Sequence, residues 1–299
     1  MEDTYNILNK LSRIDLSGYP TGQIENYIKQ LGTSAQIGYT LHPGNSILRA
    51  RPNKSDDEVF NSRSKLQYRP QEFNIDFQRA STINETMFYG SIVPEHTAET
   101  DISNARLIAC FEAASTFRNN YFTSKEKITF SRWINTEDIN LVMIAYTQNY
   151  LRPGTILTNL NEEFQTKVGQ SNPDLLKKSM IINEFLSQQF SKRTIRADYD
   201  YLISAIYTNL IVKQEFDGVF YPSVKADGRG YNVCLTKDCV DNKLQLYSAG
   251  ESKILKCGYN TQVVNLSQKL IEDDSKEFDF EDIDQVETIE EIWNRLMNE

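Results

Sequence analysis

The stretch Glu215-Phe216-Asp217-Gly218-Val219-Phe220-Tyr221-Pro222-Ser223 is the most informative part of the chain for its fold. Residues 199–213, just before it, are rich in apolar side chains over the length of a helix. We therefore expect a buried helix that leads into a strand over residues 218–222. Pro222 has no backbone N–H and ends or bends that strand, which leaves the hydroxyl of Ser223 at a strand end.

The remaining elements follow in an irregular order. Residues 227–230, Asp-Gly-Arg-Gly, predict a hairpin tip between this strand and another over residues 231–235. Further strands are predicted at residues 46–51, 87–92, 130–134, 244–247 and 254–257, and helices at residues 105–117, 138–148 and within 159–196. Because no β-α-β pattern repeats, the predicted fold class is α+β rather than a doubly wound sheet.

Both ends of the chain read as additions to a central domain of residues 38–258. Residues 1–37 predict an N-terminal helical appendage, and residues 259–299 an acidic linker followed by an amphipathic helix. One face of that last helix carries Val286, Ile289, Ile292, Trp293, Leu296 and Met297. We expect this apolar face to pack on its own domain in preference to a partner.

The net charge of −9 is concentrated in the C-terminal segment. Residues 272–299 contain twelve Asp and Glu side chains but only Lys276 and Arg295 as basic ones, so the rest of the chain is nearly neutral. Proteins that bind nucleic acid through phosphate contacts need a basic surface, so no nucleic-acid partner is expected.

We also expect no membrane-spanning segment, no disulfide framework and no His-rich metal site. No apolar run reaches the ~20 residues that cross a bilayer, and the polar start lacks a signal-peptide core, which favours a cytoplasmic location. Four cysteines in 299 residues do not make a disulfide framework. Only His42 and His96 could supply imidazole ligands, so a His-rich metal site is not expected either.

Arginines cluster in one early segment of the chain. Arg49, Arg51, Arg63, Arg69 and Arg79 lie within 31 residues. The planar guanidinium makes paired, charge-assisted hydrogen bonds with phosphate oxygens that a lysine cannot copy. Arg49 and Arg51 are two residues apart on a predicted strand and share a face, so strand geometry leaves both as candidates.

Three further side chains could act beside a bound phosphate. Tyr89 lies ten residues after Arg79 and offers a flat ring for stacking and a hydroxyl for hydrogen bonding. Glu112 is a lone carboxylate in the apolar helix sequence Leu107-Ile108-Ala109-Cys110-Phe111-Glu112, where burial without partners is costly. Ser223 has no histidine nearby in the sequence and suits hydrogen bonding better than nucleophilic attack.

These motifs occur in the same order as in the RES-domain family, whose members are the toxin components of toxin-antitoxin pairs. The chain resembles this family over roughly residues 38–250. The matching segments are Ile47-Leu48-Arg49-Ala50-Arg51, then Arg79 with Met87-Phe88-Tyr89-Gly90-Ser91, then Glu112, then Phe216 to Ser223 followed by Asn232-Val233-Cys234-Leu235. One departure is Gln78-Arg79-Ala80-Ser81, where the family usually has Gly before the arginine and Asn at the end. Glu95 and Glu99 remain alternatives to Glu112.

The resemblance implies an ADP-ribosyltransferase-like mixed β-sheet core and an enzyme that consumes NAD as a substrate, with no cofactor. It implies that Arg49 and Arg79 hold the phosphates, Tyr89 stacks on nicotinamide, Glu112 stabilises the ribosyl cation and Ser223 bonds the ribose side. Water or inorganic phosphate would accept the ADP-ribose. An antitoxin or immunity protein is the implied protein partner, and self-association stays open.

Two other functions remain open at this point. The same first half-reaction could transfer ADP-ribose to a macromolecule. The altered arginine motif also leaves room for an inactive binding module. The sequence does not distinguish among a toxin, a defence effector and a secreted effector.

Overall fold

The computed structural model describes residues 2–83, 85–95, 97–118, 122–144 and 150–298. They form a mixed α+β fold around one large sheet, so the predicted fold class is confirmed at that level. The strands are β1 (Gly38–Leu41), β2 (Ser46–Pro52), β3 (Met87–Ile92), β4 (Thr123–Asn135), β5 (Ile139–Met143), β6 (Gly218–Pro222), β7 (Tyr231–Thr236), β8 (Leu244–Cys257), β9 (Asn260–Leu270) and β10 (Glu281–Asp282). The helices are α1 (Glu2–Arg13), α2 (Thr21–Gln30), α3 (Arg63–Leu66), α4 (Ala105–Ala113), α5 (Ser115–Arg118), α6 (Ile156–Ser171), α7 (Pro173–Phe190), α8 (Leu202–Val212), α9 (Lys237–Lys243) and α10 (Ile289–Asn298).

The strands lie in one sheet in the order β1-β5-β6-β7-β3-β2-β4-β8-β9-β10. Among the described residues every neighbouring pair is antiparallel except β5 and β6. The predicted strands over residues 87–92 and 218–222 are confirmed, and each begins and ends at the predicted residues. The two predicted strands at residues 244–247 and 254–257 are the ends of the single long strand β8.

The sheet carries an apolar layer on each face, because successive side chains of a strand point to opposite sides. Phe88 and Phe220 belong to one layer, which contains Trp133 and residues of α6 and α9. Tyr89 and Tyr221, each next in sequence, belong to the other layer. This second layer is formed by α1, α2, α7 and α8, so the N-terminal helices pack into the core.

The predicted helix over residues 138–148 is wrong in its described part. Residues 139–143 form β5, which pairs with β1 and with β6. Ile139, Leu141, Val142 and Met143 are all buried, and they face both layers. In a short strand that is buried on both faces, apolar residues do not alternate with polar ones. Hydrophobic periodicity alone therefore does not distinguish such a strand from a helix. Residues 145–149 lie outside the described part of the chain.

The predicted helix over residues 105–117 is interrupted at Ala114. The carboxylate of Glu126 on β4 accepts hydrogen bonds from the backbone N–H groups of Ser115 and Thr116, at 3.0 and 2.9 Å. These bonds satisfy the free donors at the start of a new helix, α5. A distant carboxylate therefore ends α4 just after Glu112.

The C-terminal segment is packed against the sheet along most of its length. Residues 260–270, which the sequence assigned to the acidic linker, form β9, whose exposed face is too polar to stand out as a strand. Beyond β9, Arg63 of α3 pairs with Asp274 and also donates to the carbonyls of Val240 and Leu244, at 2.9 and 3.0 Å.

Apolar contacts complete this attachment. Phe278 and Phe280 pack on the layer that contains Trp133. Ile292 and Leu296 of α10 pack on Leu255 and Val264, so the prediction that the last helix packs on its own domain is confirmed. We call residues 272–284 the C-terminal strap. In the described part of the chain no helix has both the length and the apolar character that crossing a membrane requires.

Candidate functional site

A cavity of about 450 Å³ opens on the face of the sheet that also carries α7 and α8. Its volume is in the range of small-molecule sites. Strands β2, β3, β6 and β7 contribute to its walls, together with α4 and the segment that follows α3. The described residues that line it are Leu48, Arg49, Ala50, Pro52, Arg69, Asn74, Gln78, Arg79, Thr86, Met87, Tyr89, Gly90, Ser91, Ala109, Glu112, Ala113, Tyr201, Tyr221, Lys225 and Asn232.

The cavity is strongly cationic. Four basic side chains line it, Arg49, Arg69, Arg79 and Lys225, against one acidic side chain among the described lining residues, Glu112. None of the four basic groups forms an ion pair with a described residue. Arg49 and Arg79 are partly buried, and a partly buried cation without a counter-charge is costly, so a bound anion would offset that cost.

Arg49 is the most confined of these cations. Its Nη1 donates to the carbonyl oxygen of Tyr89 at 2.9 Å, and its guanidinium lies 5.1 Å from the centre of the Phe88 ring. Its Nε is buried and has no hydrogen-bond partner among the described residues. Burial, followed by the charge of Arg51, lowers the pKa of Arg49 to about 10, so the side chain stays charged at neutral pH.

Arg51 occupies a different environment, although it is on the same strand. Its guanidinium lies 4.0 Å from the centre of the Phe60 ring and donates to the carbonyl oxygen of Lys65. It does not line the cavity. The structure therefore separates the two candidates that strand parity left open, and it places Arg49 at the cavity.

Arg79 reaches the cavity from a tight turn between Gln78 and Ser81. The backbone of these two residues is joined by reciprocal hydrogen bonds of 2.9 and 3.3 Å. The guanidinium of Arg79 donates to the carbonyl of Phe190, at the end of α7, and lies 5.4 Å from the centre of the Tyr201 ring. These contacts hold its charge at the cavity wall.

Tyr89 supplies a ring to the cavity, while its hydroxyl is already engaged. The hydroxyl accepts a hydrogen bond from the backbone N–H of Ala80 at 3.1 Å and shares a 2.9 Å bond with Ser81 Oγ. Burial, followed by nearby Cys234 and Tyr221, raises the pKa of Tyr89 well above its usual value. The neutral phenol thus anchors the turn that carries Arg79, and its ring is the part left for a ligand.

Glu112 lies near the end of α4, whose first turn is capped by the side chain of Asn104. Ala109, three residues earlier, shares its face of the helix, and both Ala109 and Ala113 also line the cavity. The close approach of α4 to the sheet depends on Gly230, because a Cβ there would lie 2.6 Å from Ile108 Cγ1. The small residue before β7 therefore sets the position of the carboxylate.

The carboxylate of Glu112 is held by two donors that contact the same oxygen. Ser223 Oγ donates to Oε1 at 2.6 Å, and Asn232 Nδ2 donates to Oε1 at 2.9 Å. Ser223 Oγ in turn accepts from the backbone N–H of Ala226 at 3.1 Å, and the side chain is 0% exposed. Ser223 therefore contacts Glu112 instead of lining the cavity, which differs from the expected contact with ribose.

The two alternative carboxylates lie elsewhere. Glu95 and Glu99 are both exposed, in the segment after β3, and neither lines the cavity. Of the three glutamates that the sequence left open, only Glu112 is brought to the arginines and to Tyr89.

Three residues that line the cavity were given no individual function by the sequence analysis. Arg69 was part of the arginine cluster, and only its position beside the cavity distinguishes it from Arg63, which binds the C-terminal strap. Lys225 follows the most specific motif by two residues. Asn232 is the first residue of the matched segment that follows the hairpin tip. Its contact with Glu112 depends on strand pairing that the sequence does not show.

Neither the four cysteines nor His42 is among the described residues that line the cavity. Burial raises the pKa of the Cys234 thiol, which lies beside Tyr89, so it remains protonated at neutral pH. In the described chain no group of three or more His, Cys, Asp or Glu side chains is arranged to hold a metal ion. His42 is exposed beside Asp138, and His96 lies outside the described residues.

The cavity combines three kinds of group. Its cations suit an anionic ligand, its tyrosine rings suit a flat ring system, and its one oriented carboxylate could stabilise a developing positive charge.

No protein-family model matches the chain, and no curated protein matches its sequence.

Proposed function

We propose that this protein cleaves the bond between nicotinamide and ribose in NAD, with water or inorganic phosphate as the acceptor of ADP-ribose. The observation that carries the proposal is the cavity lined by four cations that have no ion-pair partner among the described residues and by one fixed carboxylate, Glu112. NAD presents the complementary groups, which are a diphosphate, flat ring systems and a sugar that becomes cationic during cleavage.

Arg49 and Arg79 would hold the diphosphate of NAD. Both guanidinium groups are fixed by backbone carbonyls, so their remaining N–H donors are oriented before the substrate arrives. Charge-assisted bonds to phosphate oxygens are strong in a site that excludes water.

Glu112 would act on the sugar during bond cleavage. The bond between ribose C1′ and the pyridinium nitrogen breaks, and its electron pair returns to nicotinamide, which leaves as a neutral molecule. Positive charge then spreads over C1′ and the ring oxygen of the ribose, where a fixed carboxylate stabilises it. An oxygen of water, which loses a proton to solvent, or an oxygen of phosphate completes the new bond at C1′.

Tyr89 would stack on nicotinamide, because the residue lines the cavity and its hydroxyl is used within the protein. The resemblance of the motifs to RES-domain proteins supports the same assignment. It also suggests the biological outcome, which is depletion of NAD by a toxin or defence effector under the control of a separate antitoxin.

Incubation of the purified protein with NAD tests the proposal. We expect release of nicotinamide, with ADP-ribose as the second product in phosphate-free buffer or a phosphorylated ADP-ribose when phosphate is present. The matched control is Glu112→Gln, which keeps the shape of the side chain and removes its charge. Absence of nicotinamide release in both buffers contradicts the proposal.

The same experiment separates the alternatives. NAD labelled in its adenine ring would leave the label on a macromolecule if the enzyme transfers ADP-ribose to a protein or nucleic acid. Calorimetric binding of NAD without any turnover would identify a binding module instead.

A further inference from the structure

We infer that Asn232 is a positioning residue that fixes the orientation of the Glu112 carboxylate, and that Ser91 fixes the orientation of Asn232. Its kinetic consequences rest on the proposed function. The hydrogen-bonded arrangement of the three side chains does not depend on which reaction the protein catalyses.

The three side chains form a continuous hydrogen-bonded chain. Ser91 on β3 and Asn232 on β7 are directly paired across the two strands. Ser91 Oγ donates to Asn232 Oδ1 at 2.9 Å, and Asn232 Nδ2 donates to Glu112 Oε1 at 2.9 Å. Ser91 and Asn232 are both buried, with 2% and 3% of their surface exposed.

The geometry leaves the Asn232 amide no alternative orientation. A carboxylate oxygen can only accept a hydrogen bond, so the amide must turn its nitrogen towards Glu112 and its oxygen away. The hydroxyl of Ser91 is placed to donate to that oxygen. Reversal of the amide would leave Ser91 Oγ able to accept from the amide nitrogen, but it would place the amide oxygen against Glu112 Oε1, where two buried acceptors face each other without a hydrogen bond.

The consequence for Glu112 is that one oxygen is held and the other is left for the ligand. Ser223, which directly follows β6, and Asn232 on β7 both reach Oε1, and β6 and β7 are the two strands of one hairpin. Within the described chain Oε2 has no hydrogen-bond partner, and the side chain lines the cavity. Two donors from a rigid hairpin therefore hold the carboxylate in one rotamer before the substrate binds.

Steady-state kinetics with NAD test this role. Asn232→Ala should lower kcat by roughly tenfold to a hundredfold, the worth of one hydrogen bond to a charged group, with less than a threefold change in KM. Ser91→Ala should lower kcat in the same direction by a smaller factor, and it decides the question if Asn232→Ala does not fold. A matched control is Ser267→Ala, which removes another buried strand hydroxyl that donates to a carboxylate, Glu251 Oε2 at 3.1 Å, on β9, which is separated from β3 by β2, β4 and β8.

Combination with Glu112→Gln distinguishes positioning from a direct contact with substrate. If Asn232 acts through the carboxylate, then Asn232→Ala should cost less than about twofold in kcat when Glu112→Gln is already present. An undiminished loss in the Glu112→Gln background, or a loss confined to KM, overturns the inference.

Crystal structures of the wild-type protein and of Asn232→Ala separate this inference from the proposed function. We expect the Glu112 carboxylate to move away from Ser223 or to occupy two rotamers in the variant, whether or not the protein cleaves NAD. An unchanged carboxylate, still bonded to Ser223 Oγ, overturns the inference. A wild-type protein that does not cleave NAD overturns the proposed function alone.

Discussion

Ser223 and Glu112 are joined by a 2.6 Å hydrogen bond across 111 residues of sequence. Because the hydroxyl is buried and its proton is used in this bond, we predict that Ser223→Ala lowers kcat for NAD by roughly tenfold to a hundredfold while KM changes little. Initial-rate measurements over a range of NAD concentrations check this. A raised KM with an unchanged kcat would instead indicate that Ser223 contacts the ribose.

Glu112→Gln should lower turnover by roughly a hundredfold to a thousandfold, the typical effect of removing one charge-stabilising group from an active site. NAD binding should be retained, because the amide has the same shape and the cations remain. Release of nicotinamide and calorimetric binding measure the two effects separately. Glu95→Gln and Glu99→Gln are the controls, and a loss in either one with normal turnover in Glu112→Gln would transfer the role to that carboxylate.

Arg49→Lys should weaken NAD binding by roughly tenfold to a hundredfold, because an ammonium group cannot reproduce the guanidinium fork. Calorimetry in the Glu112→Gln background measures affinity without turnover. Arg51→Lys is a matched control two residues along the same strand, outside the cavity, and should change affinity by less than about twofold. Equal losses in both variants would mean that general charge, and not the position of Arg49, attracts the substrate.

Gly230→Ala should displace α4, because the new Cβ would lie 2.6 Å from Ile108 Cγ1. We expect a loss of about 1–3 kcal/mol in the free energy of unfolding, together with lower turnover, since Glu112 lies one turn further along α4. Gly22→Ala is the control, because no atom lies within 4 Å of a Cβ at that helical position. It should be neutral or slightly stabilising.

The double variant Gly230→Ala/Ile108→Ala sharpens this prediction. Removal of the Ile108 side chain makes room for the new methyl group, so the double variant should be more stable than the sum of the two single effects predicts. The coupling should be about 0.5–3 kcal/mol, measurable by chemical denaturation. Strict additivity would show that the two residues do not compete for the same space.

Stability should also depend on pH through Glu126. Burial raises the pKa of this carboxyl, but hydrogen bonds from Thr116 and Ser115 outweigh burial, so its pKa is lowered overall. A lowered pKa in the folded state adds stability above the unfolded pKa of about 4.3, and this stability is lost as the pH falls through the folded value.

Glu126→Gln should therefore reduce the free energy of unfolding by about 1–2 kcal/mol at pH 7, and the difference from wild type should shrink below about pH 4. Urea denaturation at several pH values measures this difference. A difference that does not change between pH 7 and pH 3 would show that the charge of Glu126 is not what caps α5.

Local patterns predicted the centre of the fold well. The apolar run of residues 218–222, ended by proline, and the alternation in residues 87–92 define β6 and β3, which pair with β7 between them. The strand over residues 139–143 was mistaken for a helix, since its two buried faces conceal the period of two. Strand β9 was missed because only one of its faces is covered.

The composition of the site was easier to predict than its contacts. The family resemblance, added to spacing and residue type, singled out Arg49, Arg79, Tyr89 and Glu112, with Arg51, Glu95 and Glu99 left open as alternatives. The fold places the first four around one cavity. Sequence could not assign the hydroxyl of Tyr89 to the Arg79 turn, or that of Ser223 to Glu112, because both contacts depend on the register between distant segments. For the same reason Asn232 stood in a matched motif without a role.

The C-terminal strap has a consequence for the order in which the molecule is completed during synthesis. Arg63 is fixed by Asp274 and by the carbonyls of Val240 and Leu244, all made far later on the ribosome. The segment that follows α3 carries Arg69 to the cavity wall, and it gains the last of these anchors only after residue 274 has been synthesised. We therefore expect the wall that carries Arg69 to be completed late in folding, after the C-terminal strap has joined the rest of the molecule.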